Sequence, residues 1–201
     1  RPRVERRRRG DDFLANYERA LAPALDAAEG IDLVVHGGDL LDRSRPPAAV
    51  VDAALAPLAR VAAAGVPIVL VPGNHERSCI PRTLATAVEG LHILHGPGTV
   101  SLRLAGLRVA VSGFPFERHV GERFPERLEA TGWRDVEADL RLLCLHQAVE
   151  GARVGPVDYR FRRGMDVVGG AALPAGFAAV LSGHIHRAQT LAFDPGGRRL
   201  A

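Results

Sequence analysis

An α/β fold with mixed sheets is what this sequence predicts, and three observations carry it. Two apolar, strand-like segments, "IDLVVHG" and "VPIVLVPGNHE", flank a helix-like "PPAAVVDAALAPLARVAAAG". That strand–helix–strand order makes the two strands parallel and buried on both faces. A hairpin pattern follows around Ala105-Gly106 in "TVSLRLAGLRVAVSGF". Two further apolar runs, "RLLCL" and "AAVLS", continue the series.

The elements follow in order. "DDFLANYERALAPALDAAEG" places Phe13, Leu14, Tyr17, Leu21 and Leu25 at helical spacing, with Gly30 as the stop, so a helix is expected over 11–29. A second helix is expected over 46–64, with proline at its start and Gly65 at its end. "LHILHG" reads as a short strand, and "ERFPERLEATGW" as a polar helical stretch. "VEADLRLLCLHQ" ends as a strand. "AVEGARVGPVDYRFRRG" reads as a long loop carrying Arg153, Arg160, Arg162 and Arg163. "FAAVLSGHIHRAQTLAF" reads as two strands around "GHIH". There is no internal repeat or low-complexity linker, so the 201 residues form a single domain or most of one.

Composition narrows the function classes. The chain is 47% hydrophobic and 24% charged, ordinary for a soluble domain with a sizeable core. All 26 basic residues are arginine, which together with the abundant alanine reads as GC-rich codon bias. The net charge of +3 makes no global electrostatic case for nucleic acid. Locally, "RPRVERRRRG" is either a solvated terminus or a phosphate-contacting patch. Cys79 and Cys144, one in a polar loop and one in an apolar run, make no disulfide framework, so a reducing, cytoplasmic setting is expected. No apolar run is long enough to span a membrane.

The chemistry lies at the strand ends. Asp39 follows "DLVVHGG", Asn74 and His75 follow "IVLVPG", His146 follows "LLCL", and His184 and His186 follow "AVLSG". Taken singly, each has a plainer reading. Gly-Gly-Asp and Gly-Asn are turn sequences, and a lone histidine is often only half-buried structure. Four coincidences at four strand ends are harder to assign to turns. Imidazole, carboxylate and amide oxygen together suit borderline-to-hard divalent ions such as Mn, Fe or Zn. No cysteine is among them, which argues against a thiolate zinc site.

"GDLLD", "GNHE", the isolated "LHQ" and "GHIH", in that order, resemble the calcineurin-like metallophosphoesterase superfamily. Within it, "GGDLLDRSRPP", "VPGNHE" and "LPAGFAAVLSGHIHRAQ" look like the bacterial SbcD-type DNA repair exonucleases. The likeness runs from about Asp11 to Gln189. It implies a four-layer α-β-β-α sandwich of two mixed sheets, two divalent ions, manganese foremost, and phosphodiester hydrolysis. It implies that Asp39 bridges the ions, that Asn74, His146 and His184 complete the second site, and that His186 joins the first. His75 would stand beside the scissile phosphate and assist the leaving oxygen, with Asp42 outside the ligand shell. Arg43, Arg45 and the arginine-rich loop would contact a DNA backbone. A coiled-coil, SMC-like ATPase subunit is the implied partner; the apolar stripes of the two long helices fit either a homodimer face or packing on the sheet.

One family element has no match. The pattern opens with an Asp-x-His at the end of a first strand, and none precedes Asp39. The sequence begins at Arg1 and ends with "GGRRLA" inside an apparent hairpin, so we expect a piece truncated at both ends and inactive by itself. The missing strand is expected to leave a slot beside both "DLVV" and "IVLV". Two other readings stay open: a generic phosphatase or phosphodiesterase on the same scaffold, and a catalytically silent binding subunit.

Overall fold

A computed structural model describes residues 3–76, 80 and 88–193, with side chains from Gly10 onward. Helix α1 spans Arg3–Leu21, strand β1 Val34–His36, helix α2 Ala48–Ala63, β2 Ile68–Leu70 and β3 Leu91–Ile93. The hairpin strands are β4 Gly98–Leu104 and β5 Leu107–Gly113, followed by helix α3 Val120–Glu129 and β6 Leu140–Leu145. Four short strands come next: β7 Ala148–Val149, β8 Arg153–Val154, β9 Tyr159–Arg160 and β10 Val167–Val168. Strand β11, Ala179–Ser182, precedes "GHIH". The fold is mixed α/β, as the sequence predicts.

Of the four sheets among the described residues, the first large one has the order β1-β2-β3 and the second β11-β6-β5-β4, while β10 pairs with β7 and β8 with β9. In the first, β1 pairs with β2 in register Val34↔Ile68 to His36↔Leu70, and every pair is parallel. In the second, β5, β6 and β11 are parallel, and the β4–β5 hairpin turning at Ala105-Gly106 is antiparallel. Only the second sheet is therefore mixed. The connection through α2 goes with the parallel pairing of β1 and β2, whereas the tight turn at residues 105–106 makes a reversal.

Alternation along the strands sets the core. Ile68, Val69 and Leu70 are all 0% exposed, so β2 is covered on both faces. Ile68 and Leu70 pack with Leu55, Leu58 and Val61 of α2 and with Leu21 of α1. Val69 and Val71 point the other way, into a cluster with Val109, Val111 and Cys144 of the second sheet. On the far face of that sheet, Leu143 and Leu145 pack with Phe124 and Leu128 of α3. Cys144 is fully buried, and burial pushes its thiol up to about 12, so it behaves as a small apolar residue.

Several expectations need correction. The first helix begins earlier, at Arg3, because arginine is a good helix former. It ends at Leu21, because Pro23 turns the chain into two short 3₁₀ turns, Ala22–Leu25 and Ala27–Glu29. The arginine-rich loop is partly a ribbon of β8 and β9. After "GHIH", residues 185–192 hold no strand. "DLVV" and "IVLV" pair with each other, and β2 has a neighbour on each side, so there is no slot at "IVLV". Among the described residues the outer edges of β1 and β3 are both unpaired in that sheet. The side chains of the first nine residues, Cys79 and "GGRRLA" lie outside the described residues.

Candidate metal centre

Parallel pairing puts the C-terminal ends of β1 and β2 at one edge of the first sheet, and those of β5, β6 and β11 at one edge of the second. The two edges meet through glycine. A Cβ on Gly37 would lie 3.1 Å from Gly183 N, and one on Gly183 would overlap Gly37 O. Gly38, at φ +90°, and Gly73 also leave no room for a Cβ, so the turns after β1 and β2 touch backbone to backbone. This is the physical purpose of Gly-Gly-Asp.

That contact brings four side chains together. His146 is 0% exposed, and its Nδ1 lies 2.5 Å from Gly37 O. A carbonyl only accepts, so Nδ1 carries the proton and Nε2 presents a lone pair. Nε2 lies 3.2 Å from Asn74 Oδ1 and 3.3 Å from Asp39 Oδ2. His184 Nδ1 lies 3.1 Å from the same Asn74 oxygen. Donor atoms of Asp39, His146 and His184 all fall within 4.8 Å of one another. An imidazole lone pair, a carboxylate and an amide oxygen thus face one small volume, an electrostatic arrangement that a divalent cation satisfies.

The backbone is strained where this happens. Asp39 and His184 adopt φ +56° and +75°, uncommon for residues with a Cβ. Phe116 lies against both histidine rings, 6.2 Å from His146 and 5.7 Å from His184 between centroids. His184 is held below its ordinary pKa, first by burial and then by His146, with Asp39 opposing; a neutral imidazole is the ligating form.

His75 stands at the rim with its side chain half exposed. Its backbone N–H donates to Asp39 Oδ1 at 3.1 Å, and its Nδ1 lies 3.0 Å from the Asp42 carbonyl. Nε2 is left 3.8 Å from Asp39 Oδ2. His186 is exposed and stands outside the three-residue cluster, although its charge reaches His184. Arg43 is bonded to the neighbouring Asp42 through Nε and Nη2, and Arg45 is exposed on the same turn. In the ribbon, Arg153 and Arg187 share Asp158, whereas Arg160, Arg162 and Arg163 form no ion pair among the described residues.

Three contributors escape sequence reasoning. Phe116 follows β5, a fifth strand ending at the same edge, and its N–H donates to Pro72 O. The apolar run "VAVSG" before it was the available signal. Glu76 is quoted in "GNHE" but has no donor role that spacing reveals. His36 looks peripheral in sequence, yet its Nδ1 accepts from Gly38 N at 3.2 Å, inside the glycine turn.

The chain matches the family model of the calcineurin-like phosphoesterases over residues 10–188. It belongs to that family. It is also similar to two curated relatives, each called DNA double-strand break repair protein Mre11. Identity to the one from Haloferax volcanii is 44% over 68 residues, covering 34% of this chain and 15% of the relative. Identity to the one from Saccharolobus solfataricus is 25% over 173 residues, covering 84% of this chain and 42% of the relative. The chain therefore spans less than half the length of these relatives. Phosphoesterases of this family use divalent metals, and the Asp39–His146–His184 group offers donor atoms for one. No described helix is long and apolar enough to cross a membrane.

His36 gives a pH prediction. Burial lowers its pKa from 6.5 to about 4. Between those values the unfolded chain binds a proton that the folded chain does not, so stability falls as pH drops from 6.5 toward 4. The loss totals on the order of 3 kcal/mol. Urea midpoints measured at pH 7 and pH 4.5 check this, and His36→Gln should flatten the slope.

Proposed function

We propose that this protein is a metal-dependent phosphodiesterase acting on DNA, of the kind its double-strand-break-repair relatives suggest. The observation that carries the reading is the convergence of Asp39, Asn74, His146 and His184 at the ends of β1, β2, β6 and β11. In this reading Asn74, His146, His184 and Asp39 would hold one divalent ion, and Asp39 and His186 would contribute donors to a second. Manganese is the metal that the family resemblance puts first, and this nitrogen–oxygen donor set equally suits iron or zinc. When bound, the ions supply Lewis-acid polarisation of the phosphoryl group and an activated water.

The chain's own residues do the rest. Asp42 O fixes the proton of His75 on Nδ1. His75 Nε2, protonated, then stands beside Asp39 to give a proton to the departing oxygen. Phe116 screens the histidine faces from water. Arg45, Arg160, Arg162 and Arg163 supply cations for a phosphate backbone; Arg43 must exchange its Asp42 partner to join them. Asp39 and His186 offer fewer protein donors than the other set, so one ion should be held more tightly than the second. A coiled-coil, SMC-like ATPase remains the proposed partner, the outer faces of α1 and α2, with exposed Phe13 and Val50, the proposed homodimer surface, and the cytoplasm the proposed location.

Hydrolysis of end-labelled linear duplex DNA, set beside bis(p-nitrophenyl) phosphate, tests the substrate class with Mn²⁺ present and after EDTA. Cleavage of both, with DNA preferred and EDTA abolishing each, is the expected result. Cleavage of the small diester alone identifies a generic phosphodiesterase. Binding of DNA without cleavage under any divalent ion identifies a silent subunit.

A further inference from the structure

Glu76 is entirely buried, and its Oε1 accepts two backbone N–H groups: Leu40 at 3.3 Å and Gly73 at 2.9 Å. Leu40 directly follows Asp39, and Gly73 directly precedes Asn74. One carboxylate oxygen therefore ties the turn that carries the proposed bridging ligand to the turn that carries the amide ligand. The other oxygen, Oε2, is also buried and has no hydrogen-bond partner among the described residues. Burying a carboxylate with half its acceptors idle is costly, and a residue serving only to pack beside Leu40 and Leu41 would carry no such cost.

We infer that Glu76 is a positioning residue that sets the spacing of Asp39 and Asn74 and so pre-organises the donors for a divalent ion. Of the further links between the two turns, the bond from His75 N–H to Asp39 Oδ1 uses an oxygen of the proposed ligand itself, and the contact of His75 Nδ1 with the Asp42 carbonyl lies at the exposed rim. Glu76 makes the same connection with a group that ligates nothing, so the spacing holds when Asp39 turns toward a cation. Side chains that orient ligands from outside the ligand shell commonly change metal affinity 10–100-fold when replaced. This inference rests on the metal reading above.

Three variants of the protein separate the possibilities: Glu76→Gln, Glu76→Asp and Glu76→Leu. The Gln amide oxygen can accept the same two N–H bonds. Asp keeps the charge but is one methylene too short to reach both turns. Leu fills the volume and accepts nothing. Mn²⁺ affinity is read by electron paramagnetic resonance titration, with circular dichroism as the control for folding. The parent and the Gln variant should bind alike, and the Asp and Leu variants should bind roughly 10–100-fold more weakly while folded. An Asp variant that binds like the parent overturns the inference. So does a Gln variant that loses as much as Leu, because charge and not the acceptor would then matter. If Leu does not fold, the Gln and Asp pair decides. If the parent binds no Mn²⁺, the metal reading fails separately. In that event the hydrogen exchange of the Leu40 and Gly73 amides without metal decides: faster in Asp than in Gln supports the tie, and equal rates overturn it.

Discussion

His75→Ala is expected to keep the protein's divalent metal and to lose turnover by roughly 10²–10⁴-fold, the usual worth of a positioned acid–base group. The geometry separates His75 from the other histidines. His146 Nε2 and His184 Nδ1 both lie within hydrogen-bonding distance of Asn74 Oδ1, whereas His75 makes only a 3.8 Å approach to Asp39 through Nε2. Its ring is tethered by the Asp42 carbonyl, which leaves Nε2 directed at the rim where a phosphate would arrive. His184→Ala should do the reverse, removing a donor and lowering metal occupancy. Metal analysis after gel filtration, combined with steady-state rates, distinguishes the two. Equal metal loss in both variants would mean that His75 is a ligand.

Gly38→Ala is expected to abolish metal binding and to destabilise the fold by about 3 kcal/mol or more, because strain and overpacking act together. At φ +90° the new Cβ would lie 2.6 Å from Gly73 N, 2.6 Å from His146 Nδ1 and 2.7 Å from Val71 O. Two of these atoms are backbone and cannot move without separating the turns. Gly65→Ala is the control. Gly65 has φ +89° but nothing within 4 Å of its Cβ position, so only strain, about 1–2 kcal/mol, should appear, and metal binding should persist. Denaturant midpoints and Mn²⁺ titrations of the two variants should therefore diverge. Similar behaviour would show that the close approach at Gly38 is not needed.

The pattern of apolar strands was legible because a strand covered on both faces, such as Ile68–Leu70, is a continuous hydrophobic run. The donors were legible for a related reason: they stand directly after such runs, so position along the chain reports position in space. What spacing cannot show is contact between turns. The tie from Glu76 to Leu40 crosses 36 residues, and the approach of Gly37 to Gly183 crosses far more, so neither leaves a local signature. Nor does periodicity separate a ribbon from a loop when each strand is only two residues long, as Arg153–Val154 and Tyr159–Arg160 are. Pairing partners escape it too: nothing in the spacing of "DLVV" and "IVLV" shows that they are neighbours, and a slot beside both is the expectation that results.

The central claim is that Asn74, His146 and His184 hold a divalent ion beside Asp39. Anomalous diffraction at the manganese edge from a crystal soaked in Mn²⁺ tests it most directly. A peak is expected roughly 2.0–2.2 Å from Asn74 Oδ1, His146 Nε2 and His184 Nδ1, in contact with Asp39. A saturated soak with no peak there, or with the ion bound only elsewhere, would contradict it.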